Sequence, residues 1–122
     1  MDSPSAVVAV LLFSADPESL TRFYREQLGV PLRFIEVAGL EQHFACDIGH
    51  VYFSIWPAGA QQSPSGSGKR AGTAFYVEDL PATFERLAAS GVPVEFAPRR
   101  TPLGVIARLR DPDGNIFELY HP

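Results

Sequence analysis

Gly29-Val30-Pro31-Leu32-Arg33-Phe34 returns in the second half of the chain as Gly91-Val92-Pro93-Val94-Glu95-Phe96. In both copies the glycine follows a stretch of helical periodicity. The proline two positions on forbids its continuation, and an extended, apolar-rich run begins. Upstream of the first copy, Asp16-Pro17-Glu18 is a helix start, with Asp16 as N-cap and Pro17 at the first helical position. Leu20, Phe23, Tyr24 and Leu28 then recur on one helical face. Upstream of the second copy, Asp79 is the cap, and Phe84, Leu87 and Ala88 form the matching apolar face.

The strands follow from the same comparison. Residues 7–13 form a continuous apolar run suited to a strand covered on both faces. Runs at 32–37, 42–46 and 50–56 follow the first helix, the last two joined by a turn at Asp47-Ile48-Gly49. The second half offers 74–77 before its helix, then about 93–97, 105–110 and 115–120. Each half is therefore strand-helix-strand-strand-strand, and such self-similarity is evidence about architecture. The expected class is α+β, with two tandem βαβββ modules, about 6–56 and 72–122, in a single domain. Two such copies are expected to form a curved, cup-shaped mixed sheet with the helices outside. Residues 57–71 are Gly/Ser-rich, cannot build a core, and are expected to be a mobile linker. A phosphate-loop reading of Gly66-Ser67-Gly68-Lys69 fails on spacing.

Composition narrows the function classes. The 122 residues are 46% hydrophobic and 20% charged, ordinary values for a soluble globular chain. A net charge of −4 argues against nucleic acid as a partner and permits a cationic small ligand. No apolar run approaches the roughly 20 residues needed to span a membrane. Residues 6–13 lack a basic flank and read as a strand rather than a signal peptide. Cys46 is the single cysteine, so no internal disulfide is available and a cytoplasmic location is expected. Without an acid–base partner in view, Cys46 reads as a small buried apolar residue.

The C-terminal stretch carries the chemistry. Asp111-Pro112-Asp113-Gly114 is a turn: Pro112 fixes φ, Asp111 can accept from backbone amides, and Gly114 tolerates positive φ. In the strand that follows, Ile116, Glu118 and Tyr120 share one face of the pleat, and Phe117 and Leu119 the other. A carboxylate among such neighbours either reaches water at an edge or sits in a concave site.

Three elements together resemble the vicinal oxygen chelate superfamily, which includes glyoxalase I, extradiol dioxygenases, fosfomycin-resistance enzymes and bleomycin-resistance proteins. They are Asp16 through Phe23-Tyr24 to Leu28-Gly29, Val77-Glu78-Asp79-Leu80 to Gly91-Val92-Pro93, and Asp111-Pro112-Asp113-Gly114-Asn115 to Glu118-Leu119. With the repeat, the resemblance covers nearly the whole chain. It implies the fold; the chemistry of the family is diverse. Metal-dependent members similar to glyoxalase I place ligands on four strands facing into the cup. Carried over by motif spacing, those positions are Ala9, Ser54, Gly72 (or Thr73 if the register slips by one) and Glu118. Alanine and glycine have no donor atom, so the resemblance implies no metal and no cofactor at the usual site. His43, His50 and His121 are read as solvated or hydrogen-bonded rather than as replacement ligands, their spacings suggesting no shared face.

If Ala9, Ser54 and Glu118 face inward, alternation adds Val7, Leu11 and Phe13, then Tyr52 and Trp56, Ala74 and Tyr76, and Ile116 and Tyr120. Arg108 adds a positive group if its face permits. The candidate ligand-binding residues are Phe13, Tyr52, Ser54, Trp56, Tyr76, Arg108, Glu118 and Tyr120, an aromatic set suited to an apolar or aromatic small molecule. The alternative is that these side chains fill the cup as ordinary core. Three functions stay open: a binding protein resembling the bleomycin-resistance proteins, which sequester a drug between subunits; a metal-independent isomerase or lyase with Glu118 as catalytic base; and a metal-dependent lyase or dioxygenase-type enzyme with displaced ligands. The resemblance also implies a homodimer.

Overall fold

A computed structural model describes Pro4, residues 6–58 and residues 72–122. The chain divides into two units, Met1–Pro64 and Ser65–Pro122. Each is a βαβββ module with its own four-stranded mixed sheet, and the expected α+β class holds.

The first unit runs β1 (Ala9–Ser14), α1 (Pro17–Leu28), β2 (Arg33–Ile35), β3 (His43–Ile48) and β4 (Val51–Pro57). Its strand order is β1-β4-β3-β2, with β1 parallel to β4 and the other pairs antiparallel. The helix starts where the sequence places it: Asp16 Oδ1 accepts the Ser19 amide at 3.1 Å. It stops at Gly29, whose φ of 66° few other residues adopt without strain, and the Val30 amide turns back to the Tyr24 carbonyl at 3.0 Å. Leu20, Thr21 and Tyr24 face the sheet. Tyr24 meets Phe53 edge to face, ring centroids 5.4 Å apart, and Ile55 completes that side of β4. Each large apolar side chain so buried contributes about 1.5–3 kcal/mol.

The second unit repeats the plan with β5 (Thr73–Tyr76), α2 (Leu80–Ala89), β6 (Val94–Thr101), β7 (Gly104–Arg110) and β8 (Ile116–His121), ordered β5-β8-β7-β6. Asp79 Oδ1 accepts the Ala82 amide at 3.1 Å, and the Val92 amide returns to Leu87 after Gly91 at φ 89°. Phe117 and Leu119 are fully buried, as Phe53 and Ile55 are in the first unit. The turn into β8 is held by Asp111. Its Oδ1 accepts the Asp113 and Asn115 amides and its Oδ2 accepts Asn115 Nδ2, each at 2.9 Å.

Three expectations need adjustment. β1 starts at Ala9, leaving Val7 and Val8 exposed outside it, and it is covered on one face only, with Leu11 50% exposed. It lies at the end of the strand order, and the helix of its own unit, α1, packs on the other side. β6 runs on to Thr101, past the expected end at 97. Register shifts around Phe96 and Arg99 accommodate Pro98, which has no N–H for the ladder. Pro57 closes β4 rather than opening the linker; residues 59–71 of that stretch lie outside the described residues.

Candidate functional site: the sheet faces away from the helices

Because side chains alternate along a strand, burying Phe53 and Ile55 under α1 places Tyr52, Ser54 and Trp56 on the opposite face of β4. The register sets Ala9 beside Tyr52, Leu11 beside Ser54 and Phe13 beside Trp56 on one side, and Asp47 and Ala45 beside Tyr52 and Ser54 on the other. The polar side chains of β4 on this face, Tyr52, Ser54 and Trp56, are hydrogen-bonded. Ser54, fully buried, donates from Oγ to the Val10 carbonyl at 2.9 Å and accepts Trp56 Nε1 at 2.8 Å. His43 joins it: the imidazole stacks on the Trp56 indole, ring centroids 3.7 Å apart and planes 8° from parallel.

The His43 ring is 1% exposed and both its nitrogens are engaged. Nδ1 lies 2.8 Å from the Glu41 carbonyl and Nε2 lies 2.6 Å from the Tyr52 hydroxyl. A carbonyl only accepts, so Nδ1 carries the hydrogen, and in the neutral ring Nε2 accepts from Tyr52. His43 is thus hydrogen-bonded at both nitrogens and lies among Tyr52, Ser54 and Trp56. His50 is exposed in the turn between β3 and β4. The His121 ring lies 5.5 Å from Tyr76.

In the second unit the equivalent face carries Ile116, Glu118 and Tyr120 on β8, with Ala74 and Tyr76 on β5 and Ile106 and Arg108 on β7. Arg108 stands opposite Glu118. Its Nε and Nη2 both reach Glu118 Oε2, at 2.8 and 2.7 Å. Glu118 is therefore half of an ion pair, and the face of Arg108 permits the positive group. The Arg108 guanidinium also lies 4.9 Å from the Phe96 ring centre, and that of Arg99 lies 3.8 Å from it. Tyr120 donates its hydroxyl to the Leu103 carbonyl at 3.0 Å. Tyr76 is 57% exposed.

These contacts test a metal centre at the four positions. Ala9 offers no donor atom. The Ser54 hydroxyl is already used as both donor and acceptor. Gly72 has no side chain, and a Cβ there would stand 2.8 Å from the Ile116 carbonyl oxygen. Thr73, the alternative, pairs with Phe117 and so points to the other face from Glu118. One carboxylate held by arginine does not supply the three or four ligands of a divalent transition metal. Among the described residues no group of three or more His, Cys, Asp or Glu side chains is placed to hold an ion.

On the other side of the first unit, a groove of about 520 Å³ is lined by Glu18, Thr21, Arg22, Arg25, Glu26, Phe34 and Phe44. Its walls alternate in charge. Arg25 is held by the Leu32 carbonyl at 2.7 Å, and the buried Thr21 hydroxyl has no partner among the described residues. Cys46 is buried on β3, and desolvation pushes its thiol up; Asp47 adds to the shift and Arg33 opposes it. No described helix is long and apolar enough to cross a membrane.

Known structures share this plan. TnmS3, an antibiotic binding protein from Streptomyces sp. CB03234, superposes with a TM-score of 0.78 at 23% identity, over 100% of this chain and 99% of that one. UcmS2 matches with a TM-score of 0.75 at 25% identity, over 97% and 98%. Lactoylglutathione lyase from Agrobacterium tumefaciens matches with a TM-score of 0.67 at 24% identity, over 98% and 95%. A search of curated protein sequences gives no match. Residues 6–119 match the family model described as the glyoxalase/bleomycin resistance protein/dioxygenase superfamily, and the chain belongs to that superfamily.

Proposed function

We propose that this protein binds a small apolar or aromatic molecule without a metal ion and releases it unchanged. One observation carries the reading. The polar groups at the family's ligand positions are turned to internal use, Ser54 to Val10 and Trp56, and Glu118 to Arg108. Each unit's face by itself offers aromatic surface to a ligand: Phe13, Tyr52 and Trp56 on the first, Tyr76 and Tyr120 on the second. On the first unit Ser54 fixes the Trp56 indole, and on the second the Arg108–Glu118 pair supplies the polar group. Among the described residues Glu118 Oε1 takes no hydrogen bond, so it is open to a donor on the ligand, a cationic one included. The antibiotic-binding neighbour supports this reading at the level of fold.

Trp56 is the single tryptophan, so its fluorescence reports on this face. Titration of chelator-treated protein with uncharged planar aromatics is expected to give saturable quenching of the Trp56 emission. No quenching across the panel contradicts the proposal. The same open oxygen favours a second reading, a metal-independent isomerase or lyase with Glu118 as base; turnover lost in Glu118→Gln is its test. We further propose a homodimer in the cytoplasm, the dimer to be checked by light scattering.

A further inference from the structure

The Glu41 carbonyl, His43 and Tyr52 form a chain of hydrogen bonds that runs from a backbone oxygen through a buried imidazole to a half-buried phenol. Neither the fold nor the binding reading requires it. A buried histidine is satisfied by any two partners. Here the partners are ordered so that the ring has one polarity.

With Nδ1–H given to Glu41, the neutral ring has one lone pair left, at Nε2, and Tyr52 donates to it across 2.6 Å. The phenol hydrogen is therefore spent inward. Toward the ligand side Tyr52 presents only oxygen lone pairs, so it accepts and does not donate. We propose that Tyr52 is a proton-accepting contact for an acidic aryl or enol hydroxyl, with His43 as the positioning residue that stores the proton. The inference rests on the reading that this sheet face binds ligand.

The step balances without a co-reactant. The ligand O–H bond breaks and its proton goes to the Tyr52 oxygen. The Tyr52 O–H bond breaks in concert and its proton goes to the Nε2 lone pair. A ligand anion and a His43 imidazolium result, with Tyr52 neutral before and after.

The surroundings of His43 suit that charge. The Glu41 carbonyl dipole faces Nδ1–H in both states, and the Trp56 ring lies parallel to the imidazole at 3.7 Å, a contact that strengthens when the ring becomes a cation. A buried cation without such neighbours is costly.

The test uses 4-nitrophenol, whose ionised form is yellow and whose neutral form is not, at a pH where the free probe is mostly neutral. Wild-type protein is expected to bind it with its ionised fraction raised about tenfold, equivalent to one unit of acidity. Tyr52→Phe, which keeps the ring and the fold, is expected to bind the neutral form without colour. His43→Gln, which can accept from Tyr52 but cannot hold a proton, is expected to do the same. Nitrogen NMR of the ligand-free protein is expected to show hydrogen on Nδ1 of His43. Colourless binding by wild type, no binding of the probe, equal ionisation in Tyr52→Phe, or hydrogen on Nε2 would each overturn the proposal. Quenching of Trp56 by uncharged aromatics separates its failure from failure of the binding reading, since that signal needs no proton transfer.

Discussion

Arg108 and Glu118 face each other across β7 and β8, with two guanidinium nitrogens on the single oxygen Oε2 at 2.8 and 2.7 Å. The side chains are 38% and 22% exposed, so water screens the pair and its contribution stays near 1 kcal/mol or below. Arg108→Met and Glu118→Gln are each expected to lower stability by about that amount, and the double variant by little more than either single one. Urea denaturation of the four proteins checks this. Additive losses in the double variant would show that the pair contributes nothing as a pair.

Ser54 is a different case. It is fully buried, and its removal takes away the acceptor of Trp56 Nε1. Ser54→Ala is expected to cost about 1–3 kcal/mol and to change the Trp56 emission spectrum. An unaltered spectrum and midpoint would mean that the hydroxyl does not hold the indole.

Thr21 is expected to behave in the opposite way. Its hydroxyl is buried on the sheet side of α1 and has no partner among the described residues, so folding strips it of water with no return. Thr21→Val keeps the shape and removes the stranded group. It is expected to leave stability unchanged or raise it by up to about 1 kcal/mol. A loss above that would show that the hydroxyl has a partner in solution.

Cys46 sets a pH dependence. Burial, then the Asp47 charge, pushes its thiol above the ordinary value of 9.0, against a smaller opposing effect of Arg33. The folded chain therefore holds this proton more tightly than the unfolded chain. The associated stability is complete below the ordinary thiol range and is lost as pH rises through the raised value. Alkylation by iodoacetamide at pH 8 is expected to be at least about tenfold slower than for a free thiol until the protein is unfolded. Labelling of the native protein at the free-thiol rate would contradict this.

The fold was legible because its punctuation is chemical: Asp16 and Asp79 cap, Gly29 and Gly91 stop, and Pro31 and Pro93 forbid continuation. The face of each residue on β4 and β8 followed from alternation alone. Partners across strands did not, because they depend on register. Reading 47–49 as a three-residue turn pairs residue 46 with residue 50 and sets His43 on the helix side of the sheet. The observed turn is shorter, pairs Ile48 with Val51, and brings His43 onto the face of Tyr52 and Trp56. A slip of this kind moves every side chain of a strand to the other face. Arg108 was uncertain for the same reason, since the turn held by Asp111 fixes it opposite Glu118. The exposed side of β1 was hidden by its composition: Leu11 and Phe13 look like core residues in sequence, and only the strand order leaves them without a helix.

The most direct measurement is equilibrium dialysis of chelator-treated protein against the planar aromatics that quench Trp56, with mass analysis of everything recovered. The expected result is saturable retention that added divalent metal does not change, with the ligand recovered at its original mass and isomeric form. Recovery of altered ligand beyond one equivalent per site, or retention that appears only with metal, would contradict binding without turnover.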